Sequence, residues 1–263
     1  MLDYLKKDSC LKSLGTLHFD GATTSQGTAE MLKRIAIFDW DGTIRRDFTI
    51  SAWLRHLAKA GLLPGSSVSK LNTEFAMYRN HVLSHDELAQ RTAYVYASYL
   101  AGISESDIGK EICPFITLDL GYLFPVSLNL ISHLQKKNLS IAVISGAPIE
   151  ILMQYQQILA LDQVYGLRLE TKSGSYTGNV TMNPGISAIK AKTVQELSYS
   201  AECDIALAVG NSSSDNPLFR AARVNIVVNN PHLQTERPVL HITPSTSIDR
   251  IVDFLSKEGV YHG

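Results

Sequence analysis

The sequence predicts an α/β protein: a parallel sheet with helices on both faces, extended by a β-hairpin and interrupted by a helical insertion. Four short runs carry the sheet: RIAIF (34–38), SIAVIS (140–145), IALAV (205–209) and VNIVV (224–228). Each is almost wholly apolar, as a strand covered on both faces should be. Between and after them lie stretches of helical length, near 126–137, 148–160, 187–199, 214–222 and 247–257. Strand and helix in alternation build a parallel sheet. Two breaks in the alternation predict the additions.

The chain opens with thirty residues that turn rich in Ser, Thr and Gly and contain no apolar stretch of signal-peptide length. They read as a loosely attached extension ahead of the first strand. The larger break follows that strand. Over residues 47–124, Ile50, Trp53, Leu54 and Leu57, then Leu88, Tyr96, Tyr99 and Leu100, recur near helical spacing, which predicts an inserted helical subdomain whose aromatic side chains form its core. The expected division is therefore a core of residues 31–46 and 125–263 around an insertion of 47–124. The second break, VYGLRLETKSGSYTGNVTM (164–182), alternates about a Ser-Gly pair and predicts a hairpin.

Composition excludes several classes. A formal net charge of −1 with scattered Lys and Arg gives no support for binding nucleic acid or an anionic membrane. No run approaches a membrane span. Cys10, Cys113 and Cys203 lie far apart and form no CxxC pair, so neither a disulfide framework nor a zinc site is expected, and a cytoplasmic location follows.

Chemistry is concentrated where strands end. IAIFDWDGT places Asp39 and Asp41 two residues apart, with Gly42 marking a turn. In an open parallel sheet, ligands collect at the carboxyl ends of strands, and Asp39, Ser145 and Asn211 all stand there. Two carboxylates held close repel unless a cation sits near, and Mg²⁺ selects oxygen ligands of this kind. SIAVISGAP offers the Ser145 hydroxyl, Gly146 and a helix start at Pro148, where an anion can be seated. Lys190 and Lys192 lie near a helix start, which disfavours cations unless an anionic partner is present. LAVGNSSSDNP, with Asn211 and Asp215, reads by itself as a loop and helix cap.

Taken in order, DWDGT, VISGAP, the hairpin followed by a lysine-bearing helix, and GNSSSDNPLF resemble the haloacid dehalogenase superfamily of Mg²⁺-dependent phosphohydrolases over residues 33–228. The resemblance is to its phosphoserine-phosphatase-like branch, which carries a helical cap on a Rossmann-like core. It implies Asp39 as the nucleophile that forms an aspartyl-phosphate and Asp41 as acid and then base. It also implies Gly42, Thr43, Ser145, Gly146 and Lys190 around the phosphate. The metal ligands would be Asp39, the Asp41 carbonyl, Asn211 and Asp215. Lys190 is preferred to Lys192 because Val194 and Leu197 follow it at +4 and +7. Asn211 departs from the pattern, standing where the family places a metal-binding aspartate.

The implied activity is hydrolysis of a phosphomonoester of a small metabolite. A mutase using the same intermediate, or a phosphate-binding protein weakened at Asn211, are the alternatives. Phe48 replaces the glutamate that pairs with the amino group in amino-acid-phosphate members, which disfavours phosphoserine. Arg45 and Arg46 read as a solvated turn or an anion contact, and His81 and His85 as surface residues.

Overall fold

The computed structural model describes residues 33–200 and 203–261; the expected extension at 1–30 lies outside them. Seven strands form one sheet: β1 (Arg34–Phe38), β2 (Ser140–Pro148), β3 (Gln163–Lys172), β4 (Ser175–Met182), β5 (Asp204–Gly210), β6 (Val224–Val228) and β7 (Val239–Ile242). Their order is β4-β3-β2-β1-β5-β6-β7. All neighbours are parallel except β3 and β4. The four apolar runs become β2, β1, β5 and β6, adjacent in the middle of the sheet, and β1 and β6 are buried at almost every position. Burial on both faces is what removes the polar alternation from their sequences.

The hairpin turns at Ser173 and Gly174, whose φ values are 52° and 77°. Two successive positive φ angles match the twist of the flanking strands in a two-residue turn. β7 was not foreseen. Among the described residues it pairs only with β6, and three of its four residues are half-buried.

Between β1 and the core helix α5 (Pro125–Lys136) stand four helices: α1 (Thr49–Lys59), α2 (Gly65–Arg79), α3 (His85–Leu100) and α4 (Glu105–Asp119). Ser84 starts α3 through a reciprocal cap, donating its N–H to Glu87 Oε2 at 2.8 Å and accepting the Glu87 N–H at 3.3 Å. Trp53, Leu54, Leu57 and Tyr96 are completely buried, as their spacing predicts. They join one continuous apolar cluster with Phe38, Leu130 and Val143, so these helices share their core with the sheet.

The remaining helices are α6 (Ile149–Ile158), α7 (Ser187–Ser200), α8 (Asn216–Ala221) and α9 (Ile248–Lys257). Among the described residues no helix is long and apolar enough to cross a membrane. Cys203 is a free thiol.

Candidate active site

Asp39 and Asn211 directly follow β1 and β5, and Ser145, within β2, lies beyond the last β1–β2 pair, Phe38 with Val143, so the three stand at one end of the central sheet. Asp39 is held there by its own backbone, whose N–H donates to the Val209 carbonyl at 2.9 Å. The chain then reverses sharply. The Trp40 carbonyl accepts the N–H groups of Thr43, Ile44 and Arg45 at 3.2, 2.8 and 3.1 Å, and Gly42 takes φ +83°. A Cβ at position 42 would lie 2.2 Å from Asn211 Nδ2. Glycine is therefore needed both for the turn and for the close approach of Asn211.

Lys190 sits between two acids. Its Nζ donates to Asp39 Oδ1 at 3.0 Å and to Asp215 Oδ1 at 2.8 Å, with Lys190 2% and Asp215 0% exposed. Asp215 Oδ2 accepts the N–H groups of Asn211 and Ser212 at 2.9 and 3.1 Å. Burial opposes the charge on Lys190, but Asp215 and Asp39 outweigh it and raise its pKa. Burial pushes the Asp39 carboxyl up to about 7, with repulsion from Asp215 adding and Lys190 opposing. One ammonium thus serves two buried carboxylates. The two lysines are placed differently: Lys190 shares a buried face with Val194 and Leu197, whereas Lys192 is exposed and pairs with Glu196.

Asp41 has a different environment. Its Oδ1 accepts the Thr49 N–H at 2.9 Å and the Thr49 hydroxyl at 2.5 Å, and the Trp40 indole N–H donates to that hydroxyl at 3.0 Å. The first residue of α1 therefore orients the carboxyl. Burial raises its pKa from 3.8 to about 6, against Arg45 and the Thr49 bonds. The folded state then holds a proton that the unfolded chain loses near 3.8, so this stabilisation is lost as pH rises through about 6. Asp41→Asn, which preserves the acceptor oxygen, is expected to stabilise the metal-free fold by about 1–2 kcal/mol above pH 7 and by little near pH 4. Urea unfolding at the two pH values checks this; an equal gain at both contradicts it.

A cavity of about 290 Å³ opens onto this end of the sheet, lined by Asp39, Asp41, Gly42, Ser145, Gly146, Lys190 and Asn211 among others. Seven of the nine expected residues that contact phosphate or metal, Asp39, Asp41, Gly42, Ser145, Gly146, Lys190 and Asn211, thus line one space. Thr43 and Asp215 are completely buried and do not. The Ser145 hydroxyl accepts the Ala147 N–H at 3.3 Å. A Cβ on Gly146 would come within 2.9 Å of Gly185 Cα, so the β2 end is packed closely against the loop before α7.

Two expectations need correction. Arg45 is neither solvated nor in the cavity: it is 1% exposed and fixed to Asp119 by a bond of 2.6 Å from Nη2 to Oδ1. A charge beside a turn reads as exposed because its partner lies 74 residues away. His85 is not a surface residue; it lines the cavity, and its Nδ1 is buried.

Sequence reasoning missed other residues. Asp86 Oδ1 accepts the N–H and hydroxyl of Ser187 at 3.0 and 2.8 Å, capping the helix that carries Lys190. Asn183 bridges the Ala89 carbonyl and the Gly185 N–H at 2.9 and 3.0 Å. The start of α3 thereby holds the loop that delivers the lysine. The Asn-Pro-Gly turn at 183–185 was the one visible signal.

Among the described residues no three His, Cys, Asp or Glu side chains are grouped as a metal site. The donors here are oxygens: the Asp39 carboxylate and the Asn211 amide line the cavity, and Asp215 stands behind them. An oxygen-only set beside mutually repelling carboxylates fits a hard dication such as Mg²⁺.

The sequence matches the family described as haloacid dehalogenase-like hydrolase over residues 36–220. The chain belongs to that family. It is 32% identical over 165 residues to the phosphoserine phosphatase of Idiomarina loihiensis, covering 62% of this chain and 70% of that protein. It is 26% identical over 219 residues to the histidinol-phosphatase of Neisseria meningitidis serogroup C, covering 78% and 94%. A solved structure described as a phospho-aspartyl intermediate analogue of phosphoserine phosphatase superposes with a TM-score of 0.61 at 18% identity, covering 85% of this chain and 99% of the other. The branch is the phosphoserine-phosphatase-like one, and the chain is a haloacid dehalogenase-like phosphomonoesterase.

Proposed function

We propose that the chain hydrolyses the phosphomonoester of a small metabolite in two steps, with Asp39 as nucleophile and the helices of residues 47–124 as a cap over a core of 31–46 and 125–263. The observation that carries this reading is the buried Lys190 bridging Asp39 and Asp215 at the ends of β1 and β5. In the first step an Asp39 oxygen attacks phosphorus, the ester P–O bond breaks, and Asp41 gives its proton to the leaving oxygen. In the second, water attacks the aspartyl-phosphate, Asp41 takes the water's proton, and inorganic phosphate leaves. A carboxyl with a pKa near 6 suits both directions at neutral pH. Ser145 and the Gly146 amide hold phosphoryl oxygens, and Lys190 neutralises the charge shared by Asp39 and the phosphoryl group.

Mg²⁺ would be held by Asp39, the Asp41 carbonyl and Asn211, with Asp215 behind Lys190 and the 211–212 amides. When bound, the ion neutralises phosphoryl charge. Asn211 removes one negative charge from this set, and affinity for hard cations follows ligand charge. Asn211→Asp is therefore expected to lower the Mg²⁺ concentration for half-maximal activity by about tenfold. Aryl phosphate hydrolysis across a Mg²⁺ titration tests both proposals: no metal-dependent turnover overturns the hydrolase mechanism, and an unchanged midpoint in the variant overturns the role of Asn211. The relatives named above are a phosphoserine phosphatase and a histidinol-phosphatase.

A further inference from the structure

We propose that the part of the cavity away from Asp39 selects phosphate esters of alcohols that bear a flat ring and no carboxylate, with Phe48, Phe75 and Tyr78 forming the ring's seat. The inference rests on the phosphomonoesterase reading and assigns its substrate class. The cavity runs from Lys190 into α1, α2 and α3, where Phe48, Ile50, Phe75, Tyr78 and Leu88 line it. Phe48 and Phe75 stand with ring centroids 4.7 Å apart at 35°. Phe75 is 6% exposed and Phe48 37%, so one ring is anchored and the other presents apolar surface. Tilted aromatic side chains beside open space favour another ring over a short polar chain.

The charges point the same way. Of the lining residues, Asp39, Asp41, Asp47, His85 and Lys190 are ionisable apart from Tyr78, and Lys190 already meets two carboxylates. Among the described residues no arginine lines the space. A substrate carboxylate would lose its hydration without a cationic partner. Exposed Asp47 instead tolerates a positive charge near the rim.

His85 adds to the flat lining: its ring stands edge-on to Tyr78 at 6.1 Å.

The test compares kcat/KM for 2-phenylethyl phosphate, L-histidinol phosphate, O-phospho-L-serine and ethanolamine phosphate, in the natural protein and in Phe48→Leu and Phe75→Ala. Both ring esters are expected to exceed ethanolamine phosphate by at least about tenfold, and phosphoserine to be poorest. Each variant is expected to narrow the ring preference several-fold. Phe48→Leu carries the test if Phe75→Ala fails to fold, because Phe48 is the more exposed ring. Equal use of ethanolamine phosphate or phosphoserine, or a ring preference unchanged in folded Phe48→Leu, overturns the inference and leaves the hydrolase reading standing. Absence of turnover with every ester overturns both.

Discussion

Asp39→Asn is expected to reduce turnover of every phosphomonoester by about 10⁴-fold or more while the protein remains folded, since single catalytic-group removals of this kind have such effects. The amide is far less nucleophilic than a carboxylate, so the proposed covalent step has no attacking oxygen of sufficient strength. The fold survives for reasons visible in the site. The Asp39 N–H bond to Val209 is unaffected by the side chain, and Lys190 keeps Asp215 at 2.8 Å. Burial and Asp215 already disfavour the charged form of Asp39, so a neutral isostere relieves repulsion. Raised Asp pKa values stabilise the fold below the unfolded pKa, and that contribution is lost as pH rises through the folded one. The variant should therefore be at least as resistant to urea as the natural protein at pH 8. Turnover that persists in a folded sample would place the nucleophile elsewhere.

That same cluster shows what the sequence made legible. Asp39 and Asn211 were readable because each directly follows an apolar strand, and Ser145 because it closes the apolar run of β2 three residues before that strand ends; parallel strands deliver their carboxyl ends to one edge. Lys190 was readable from its helix face: Val194 and Leu197 share it, and both are buried. The four central strands were readable because two-sided burial leaves no polar alternation to confuse them. β7 was not, since four residues at the sheet edge express neither a buried run nor a clear alternation. Thr49, Asp86 and Asn183 were hidden for another reason. Each acts through a contact made only when an inserted helix meets the core, as the 101-residue separation of Asp86 and Ser187 illustrates. Asn211 was visible as a departure, yet its packing against Gly42 required coordinates.

Arg45 is the case in which local reading failed, and it carries the second large effect. Arg45→Met is expected to cost about 3–5 kcal/mol of stability, because it strands a buried carboxylate. In the natural protein Arg45 Nε reaches both Asp119 oxygens at 3.1 and 3.0 Å, and Nη2 reaches Oδ1 at 2.6 Å. The Tyr155 hydroxyl donates to Asp119 Oδ2 at 2.8 Å, and both charged side chains are 1% exposed. Burial works against the guanidinium charge, but Asp119 outweighs it and raises the Arg45 pKa. The pair also joins the two passages between sheet and inserted helices, for Arg45 precedes α1 and Asp119 ends α4. Backbone bonds reinforce the junction, from Arg46 N–H to the Tyr122 carbonyl at 2.9 Å and from Phe124 N–H to the Ile44 carbonyl at 2.8 Å. Replacing both charges, as in Arg45→Met with Asp119→Leu, should recover much of the loss, since an apolar pair leaves no unpaired ion. Urea midpoints for the single and double variants separate these outcomes: a double variant no more stable than Arg45→Met would show that the guanidinium contributes through packing on Tyr122, whose ring centroid lies 5.3 Å from its carbon, rather than through its pairing with Asp119.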